Sequence, residues 1–422
     1  MDTFIIEGGT RLQGHVKISG AKNASLAIMP TCLLAPGHFH LSNTPNNRDV
    51  WTFSRLLGAL GVHAELNDNT LHLDSSTITS FEAPYEHVKQ MRASIYVLGP
   101  LLARYGQAKV SLPGGCNFGP RPVDLHLKGM EKLGAEITLE GGYINARAPL
   151  GRLQGARFHF DISSVGASVN VIMAAVLAQG QTTLTNAALE PEVTALARML
   201  NKMGAKIEGI GTTTLEIQGV DELKPVNEET IPDRIEAATF AVAAALTRGN
   251  VTLDNVNPYH LTSVVQKLEE SGATIDVTGE SMQVSMNDDP EPVDITTATY
   301  PGFPTDTQAQ WAAYMLRAKG SARITDTIYP TRFGYVPELH RLGASIEGGD
   351  SYCIVKGGHQ LSGATVMSSD LRASASLVMA AMIAEGTSRV LRVYHIDRGY
   401  ESIEKKLNSL GARIRRERAE EE

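Results

Sequence analysis

A cysteine in a loop of glycines and prolines is the first candidate for chemistry in this sequence. Cys116 lies in the run LPGGCNFGPRPVDLHL, where three glycines and three prolines between Pro113 and Pro122 exclude a helix and a central strand. Because an exposed thiol is a chemical liability, we interpret Cys116 as an acid–base or nucleophilic group on a lid. Arg121 adds an anion-binding group just before a helix whose first turn Pro122 suits. The alternatives are an incidental surface thiol and a hydrolase pairing Cys116 with His126, for which no oxyanion donor is visible nearby.

Positive charges recur where helices are predicted to begin. Four of six predicted first helices carry a cation in or just before the first turn, namely Lys22, Arg92, Arg234 and Arg372. The N-terminal end of a helix is itself partly positive, so a cation there is unfavourable unless an anion offsets it. Asp233 and Asp370 could supply capping carboxylates to the last two. Lys22 and Arg92 have no acidic neighbour in the sequence, and for them we predict a bound anion, since helix N-termini are good phosphate sites.

A sixfold repeat supplies the elements that must position these groups. A leucine or methionine (once serine), then Gly-Ala or Gly-Val, then a strand-like residue recurs with its glycine at Gly61, Gly134, Gly204, Gly272, Gly343 and Gly411. An alanine-rich helical stretch also closes on a glycine before a strand in each copy, at Gly37, Gly106, Gly180, Gly249, Gly320 and Gly386. Each unit of about 70 residues therefore predicts helix, glycine C-cap and strand, twice over, in an α/β fold with buried helices. Two domains of three units are expected, with the split near VNEETIPDR, around residue 231.

Composition excludes several classes of protein. The chain has 422 residues, 42% of them hydrophobic, a formal net charge of −8 and a predicted pI of about 5.9, so no overall field attracts nucleic acid or anionic lipid. The N-terminus lacks a signal-peptide pattern and the apolar runs are too short to span a bilayer, so we expect a cytoplasmic protein. Three cysteines without a C-x-x-C pair argue against a disulfide framework or a structural zinc site. Cys32 and Cys353 lie among apolar or strand-like neighbours and are interpreted as core.

Five motifs together resemble the UDP-N-acetylglucosamine 1-carboxyvinyltransferases, a family of enolpyruvyl transferases. They are KISGAKNASLAIMP, PGGCNFGPRPVDLHL, SSVGAS, GFPTDTQAQ and DRGYE, in order along essentially the whole chain. The resemblance implies two inside-out α/β barrel domains built from six repeated βαβαββ units with buried helices, closing over a cleft. It implies a first domain of residues 22–231, which carries the Cys116 loop, and a second of residues 1–21 and 232–422.

The resemblance also assigns binding residues in the first domain. Lys22 and Asn23 resemble ligands of phosphoenolpyruvate, and Arg92 resembles a contact to the UDP-sugar. The nucleotide-holding segment corresponds to Arg121, Pro122, Val123, Asp124 and Leu125, and the diphosphate-binding turn to Ser164, Val165 and Gly166. Ile162 stands where some members have lysine, which removes one charge contact to the diphosphate.

In the second domain the resemblance points to Asp306 beside the sugar 3-hydroxyl and to Ile328 as an apolar contact with the nucleotide sugar. Further polar groups of that side correspond to Arg332, Asp370, Arg372 and Arg398. Position alone favours a helix N-cap for Asp306, and the resemblance reverses this interpretation. Arg398 follows Asp397, so a structural ion pair is its alternative.

The implied reaction transfers the enolpyruvyl group of phosphoenolpyruvate to the 3-hydroxyl of UDP-N-acetylglucosamine, with release of phosphate. Cys116 would give a proton to C3 or add to C2, Asp306 would act as base, and Lys22, Arg121 and Arg398 would neutralise the donor's charges. Both substrates are small molecules, and neither a metal nor a cofactor is expected. The alternatives are a 5-enolpyruvylshikimate-3-phosphate synthase and a catalytically silent nucleotide-sugar-binding regulator on the same fold.

Overall fold

The computed structural model describes residues 2–113 and 123–418. These residues group into two compact units. Unit 1 contains residues up to Ser19 and from Pro232 onward, and unit 2 runs from Gly20 to Ile231. The N-terminal boundary thus falls two residues before the expected one, because Gly20 packs against Asn43 and Ala21 N–H donates to Ile231 O within unit 2.

The strands are short, mostly of five residues, and alternate inward apolar and outward polar side chains. In chain order they are β1 (Thr3–Glu7), β2 (Gln13–Lys17), β3 (His38–Ser42), β4 (His63–Asn67), β5 (Thr70–Asp74), β6 (Glu82–Ala83), β7 (Gln107–Ser111), β8 (Glu136–Glu140), β9 (Tyr143–Arg147), β10 (Arg157–His159), β11 (Gln181–Thr185), β12 (Lys206–Glu208), β13 (Thr214–Gln218), β14 (Asn227–Glu229), β15 (Asn250–Asp254), β16 (Thr274–Thr278), β17 (Ser281–Ser285), β18 (Ile295–Thr296), β19 (Ser321–Thr325), β20 (Ser345–Gly348), β21 (Tyr352–Lys356), β22 (Thr365–Met367), β23 (Thr387–Leu391) and β24 (Arg413–Glu417). Strand β3 shows the pattern, with Phe39 and Leu41 buried and His38 and His40 exposed.

The helices alternate between buried and amphipathic ones. They are α1 (Lys22–Ile28), α2 (Arg48–Leu60), α3 (Tyr85–Val88), α4 (Leu98–Tyr105), α5 (Asp124–Lys132), α6 (Val165–Ala175), α7 (Pro191–Lys202), α8 (Arg234–Leu246), α9 (Thr262–Glu270), α10 (Gln308–Met315), α11 (Val336–Arg341), α12 (Leu371–Ile383) and α13 (Ile403–Ser409). Short 3₁₀ helices cover Met29–Leu34, Arg92–Val97, Pro258–Leu261, Thr305–Thr307 and Val393–Arg398.

Six four-stranded sheets repeat one topology, which confirms the predicted α/β repeat. Their orders are β14-β3-β5-β4, β6-β7-β9-β8, β10-β11-β13-β12, β2-β15-β17-β16, β18-β19-β21-β20 and β22-β23-β1-β24. In each sheet the first two strands are parallel and the remaining pairs are antiparallel. The N-terminal strands β1 and β2 complete the sixth and fourth sheets, and this pairing places the start of the chain in unit 1.

The alanine-rich helices are buried, as predicted. Every residue of α8 after Arg234 is buried, as is every residue of α10. Alanine favours helix strongly, and a helix that is apolar all round is stable only inside a core. Of the glycines predicted to close these helices, Gly249 and Gly320 lack a left-handed backbone; before Gly249, Arg248 adopts it instead, with φ 52°. No helix among residues 2–113 and 123–418 combines the length and apolarity needed to cross a membrane.

Candidate functional site

Three of the proposed site residues in unit 1 form one ion-pair cluster. Asp306 lies in the 3₁₀ turn Thr305–Thr307 that precedes α10, and one oxygen of its carboxylate accepts from Arg332 Nη1 at 2.7 Å. Its other oxygen lies 3.5 Å from Arg372 Nη2. Both guanidinium groups are buried, whereas the Asp306 side chain keeps 27% of its surface exposed. We call Asp306, Arg332 and Arg372 the carboxylate–diarginine cluster; its open side is the carboxylate.

The N-cap alternative for Asp306 is wrong. The residue that caps α10 is Thr307, and it makes no side-chain capping bond. The Asp306 side chain instead serves the two arginines, while its backbone carbonyl accepts from Gln310 Nε2 at 2.9 Å. The sequence could not distinguish these roles because both place an aspartate before a helix.

The electrostatics keep both arginines charged. Burial alone lowers the pKa of Arg332, but the nearby carboxylates of Asp306 and Asp370 outweigh burial and raise it. Burial also opposes the charge on Arg372, and Tyr400 and Asp306 together raise the pKa of Arg372 despite it. Within the described part of the chain, Arg372 Nη1 is buried and has no hydrogen-bond partner. The cluster therefore contains one buried guanidinium nitrogen that no group of the described residues satisfies.

Asp370 and Asp233 are the N-caps of α12 and α8, the capping role that their positions beside Arg372 and Arg234 allowed. Asp370 accepts from the backbone N–H groups of Arg372 and Ala373 at the start of α12, and Asp233 does the same for Ile235 and Glu236 in α8. A capping carboxylate offsets the positive helix end.

Arg398 ends the 3₁₀ helix Val393–Arg398, which packs against α12. The preceding Asp397 binds Arg416 through both oxygens, at 2.6 and 3.0 Å. Arg416 also contacts Glu404 at 3.0 Å and Asp2 at 3.2 Å. Arg416 is thus the bidentate partner of Asp397. These contacts fix the end of the 3₁₀ helix where Arg398 lies.

In unit 2, Lys22 begins α1 and has an acidic partner that the sequence did not reveal. Its Nζ lies 3.3 Å from an Asp49 carboxylate oxygen, and both side chains are almost fully buried. Lys22 has no acidic neighbour in the sequence, but Asp49 reaches it from the first turn of α2, 27 residues away. Asn23 follows Lys22 in the first turn of α1.

A second group in unit 2 assembles around buried His126 on α5. Asn170 of α6 donates from Nδ2 to His126 Nδ1 at 3.1 Å, which places the imidazole proton on Nε2. Burial, helped by the charge of Arg92, lowers the pKa of His126 to about 3, so the ring stays neutral. A Cβ on Gly166 would lie 3.3 Å from His126 Nε2 and from Tyr96 Oη. We call His126, Asn170, Arg92 and Gly166 the histidine–amide cluster.

The turn before α6 carries its own cap. Ser164 Oγ accepts from Ala167 N–H at 3.3 Å, and Val165 and Gly166 form the first turn, with Ile162 exposed just before it. At the start of α5, Val123 is the buried N-cap residue and Asp124 and Leu125 form the first turn. The Asp124 carboxylate lies 4.0 Å from Lys128 Nζ.

Three proposed site residues, Cys116, Arg121 and Pro122, lie outside the described residues. The other two cysteines are fully buried. Burial raises the pKa of the Cys353 thiol to about 12 and that of Cys32 still further. Both are therefore inert thiols at neutral pH, in line with their interpretation as core.

Sequence reasoning missed several polar residues that the structure brings to these clusters. Asp49, Asn170 and Asp326 are buried and polar. Asp49 contacts Lys22, Asn170 contacts His126, and Asp326 contacts Thr305 next to Asp306. One signal was available for Asp326, since aspartate stands there where three other repeats have asparagine. Nothing in the sequence marks Asp49 or Asn170, because their partners lie far away along the chain.

Comparison with known proteins shows which family the chain resembles. A family model described as EPSP synthase (3-phosphoshikimate 1-carboxyvinyltransferase) matches residues 6–407. A UDP-N-acetylglucosamine 1-carboxyvinyltransferase from Chlorobium limicola is 56% identical over 422 residues, covering 100% of both chains. The enzyme of that name from Chloroherpeton thalassium is 55% identical over 100% of this chain and 98% of its own.

Solved structures agree in fold. The enolpyruvyl transferase NikO from Streptomyces tendae superposes with a TM-score of 0.89 at 26% identity, over 98% of each chain. An EPSP synthase from Acinetobacter baumannii reaches a TM-score of 0.75 at 18% identity, over 99% of this chain and 100% of its own, which is a likeness of fold alone. The chain therefore belongs to the enolpyruvyl transferase family, among relatives named UDP-N-acetylglucosamine 1-carboxyvinyltransferase.

Proposed function

We propose that this enzyme transfers the enolpyruvyl group of phosphoenolpyruvate to the 3-hydroxyl of UDP-N-acetylglucosamine and releases phosphate. The observation that carries the proposal is the identity of 56% over the full length to a relative of that name. The EPSP synthase alternative is disfavoured because two solved EPSP synthases from Acinetobacter baumannii are only 18% identical to this chain. A silent regulator is disfavoured by an accessible carboxylate held between two buried arginines.

The reaction needs a base beside the acceptor hydroxyl, and Asp306 suits that role. The sugar oxygen would bond to C2 of phosphoenolpyruvate as its proton passes to the Asp306 carboxylate, while C3 takes a proton from Cys116. Loss of phosphate from C2 and of a proton from C3 would then restore the double bond. Arg332 and Arg372 fix the carboxylate on one side, and this leaves its exposed part for the hydroxyl.

Cationic side chains and helix N–H groups would bind the charged groups of both substrates. In unit 1, Arg398 and Arg372 would bind oxygen atoms of phosphoenolpyruvate or of the sugar. Asp370 would support the start of α12, and Ile328 would contact the nucleotide sugar. In unit 2, Lys22 and Asn23 would bind phosphoenolpyruvate, Arg121 to Leu125 the nucleotide, and Arg92 the UDP-sugar. The capped start of α6 at Ser164 to Gly166 offers N–H groups to a diphosphate.

At the level of the cell, the product would be the first committed precursor of peptidoglycan. The enzyme would then serve cell-wall biogenesis, cell shape and cell division from the cytoplasm. A thiol at residue 116 would also make it a target of the epoxide phosphonate fosfomycin.

The test is phosphate release from phosphoenolpyruvate by purified protein with UDP-N-acetylglucosamine, with shikimate 3-phosphate, and with no acceptor. We expect release with the UDP-sugar alone. Release with shikimate 3-phosphate would transfer the protein to the EPSP synthases. Binding of the UDP-sugar without release under any condition would make it a regulator.

Cys116 is tested separately. The variant Cys116→Ser should lose most turnover yet keep its affinity for the UDP-sugar, and near-normal turnover would remove the thiol from the mechanism. Intact-mass analysis with fosfomycin and UDP-sugar should show one adduct, mapped to Cys116. Cys32 and Cys353 are internal controls, because burial keeps both protonated.

A further inference from the structure

In the fifth repeat an aspartate stands where three other repeats have an asparagine. In five of the sheets, the residue after the short outer strand donates its N–H to the carbonyl of the last residue of the neighbouring parallel strand. The pairs are Thr230 to Ser42, Phe160 to Thr185, Ile18 to Asp254, Thr297 to Thr325 and Ser368 to Leu391, at 2.9 to 3.1 Å. The residues that follow those acceptors are therefore structurally equivalent: Asn43, Asn186, Asn255, Asp326 and, in the sixth repeat, Arg392.

The three asparagines have the same backbone conformation and make the same hydrogen bond. They adopt left-handed backbone, with φ between 51° and 58°, a conformation that asparagine tolerates. Each donates its side-chain Nδ2 to the carbonyl of the partner residue across the parallel strands, at 2.7 or 2.8 Å. An asparagine at this position thus ties two strand ends together.

Asp326 has no left-handed backbone and cannot donate, and it binds a different set of groups. Its fully buried Oδ1 accepts from the Thr297 hydroxyl at 2.8 Å and from the backbone N–H groups of Ile328 and Tyr329 at 2.9 and 2.8 Å. Its Oδ2 accepts from the Thr305 hydroxyl at 2.7 Å. A carboxylate accepts through both oxygens, whereas an asparagine amide would aim a donor at one of these groups.

These bonds connect the loop after β19 to the proposed base. Thr305 Oγ1, which donates to Asp326, accepts from Arg332 Nη1 at 3.1 Å, and the same nitrogen donates to Asp306 at 2.7 Å. One unbroken chain of hydrogen bonds therefore runs from the backbone of Ile328 through Asp326, Thr305 and Arg332 to the Asp306 carboxylate.

We propose that Asp326 is a positioning residue, which holds the Ile328 loop and the Asp306 carboxylate in one frame so that the sugar contact and the base keep their separation. The role rests on the proposed function, since Ile328 and Asp306 are its proposed substrate contacts. Misplacement of reacting groups by about 1 Å can lower a rate about a hundredfold. Stability alone would not require an aspartate, because three equivalent positions manage with asparagine.

The test replaces Asp326 by the asparagine of three other repeats. Asp326→Asn should lower kcat/KM for UDP-N-acetylglucosamine about 10- to 100-fold in the phosphate-release assay, with the KM for phosphoenolpyruvate changed less than threefold. The matched control is Asn255→Asp, the reverse exchange at the equivalent position of the neighbouring repeat, which should leave both constants near wild type. Thermal midpoints of both variants separate loss of stability from loss of position.

A second pair of variants covers the case in which Asp326→Asn does not fold. Thr305→Val removes the hydroxyl that links Asp326 to Arg332 and should reproduce the defect in kcat/KM, and Thr305→Ser should recover most of it. If wild type is active while Asp326→Asn matches Asn255→Asp, or Thr305→Val matches Thr305→Ser, the positioning role is overturned and the proposed function stands. If wild type releases no phosphate with the UDP-sugar, the proposed function fails and the positioning role with it.

Discussion

The carboxylate–diarginine cluster of unit 1 and the histidine–amide cluster of unit 2 solve the same problem in opposite ways. Each buries polar side chains next to a helix start, α10 and α12 in one case and α6 in the other. Unit 1 keeps full charges inside by pairing them, and the pKa values of both arginines rise despite burial. Unit 2 buries a neutral imidazole whose pKa falls to about 3. The difference teaches that a buried charge is kept where opposite charges pair with it, whereas a buried imidazole beside a cation is held neutral.

The largest effect is expected from removing the charge at the centre of the unit 1 cluster. Asp306→Asn leaves two buried guanidiniums facing a neutral amide and removes the proposed base, so kcat should fall about a thousandfold. Steady-state phosphate release measures this. The control is Asp276→Asn, an exposed strand carboxylate of the same unit; a kcat for Asp306→Asn within threefold of that control would contradict the role.

A smaller loss should follow when the charge is kept but its geometry is changed. Arg372→Lys preserves the positive charge yet loses the planar fork that faces both Asp306 and the Tyr400 ring. We expect kcat/KM to fall about 10- to 100-fold, the loss of one charged hydrogen bond. Arg389→Lys, at an exposed position of β23, is the matched control. Equal kinetics for the two variants would show that charge alone suffices at residue 372.

Acid should test the neutral imidazole of the histidine–amide cluster through stability. Since the folded-state pKa of His126 is about 3 against an ordinary value of 6.5, the unfolded chain binds the proton first as pH falls. Stability from this group is therefore present above pH 6.5 and lost toward pH 3, by about 1.4 kcal/mol per pH unit at most. Arginines contribute no such slope because they stay charged.

The measurement compares urea unfolding of wild type and His126→Gln between pH 6.5 and 5, where the difference should shrink by about 2 kcal/mol as pH falls. His63→Gln, at an exposed position of the same unit, should track wild type. Parallel profiles for wild type and His126→Gln would mean that the imidazole is not held neutral.

The smallest effect tests how closely the neutral cluster approaches the α6 turn. In Gly166→Ala the new methyl group meets His126 Nε2 and Tyr96 Oη at 3.3 Å, so the turn must move by a few tenths of an ångström. The KM for the UDP-sugar should rise a few-fold with kcat unchanged. Gly58→Ala in α2 is the control, because its added carbon meets nothing within 4 Å and should stabilise the helix by about 1 kcal/mol. An unchanged KM in Gly166→Ala would separate this turn from substrate binding.

The sequence by itself determined the sixfold α/β repeat and the burial of the alanine-rich helices. Those features depend on local pattern: strand alternation, helix propensity and glycine punctuation act over a few residues and recur every 70 or so. Helix capping by Asp233 and Asp370 is equally local, and the residues concerned stand side by side in the chain.

Only the tertiary structure decided which polar groups meet. Asp49 reaches Lys22 across 27 residues, Asn170 reaches His126 across 44, and Arg372 reaches Asp306 across 66. Such pairs depend on which helices pack against each other. A sequence pattern that recurs with the same period in every repeat does not determine that packing. Asp326 lies between the two cases, since its departure from asparagine is visible in the sequence, but its four hydrogen-bond partners exist only once the loop after β19 has folded onto the turn at Thr305.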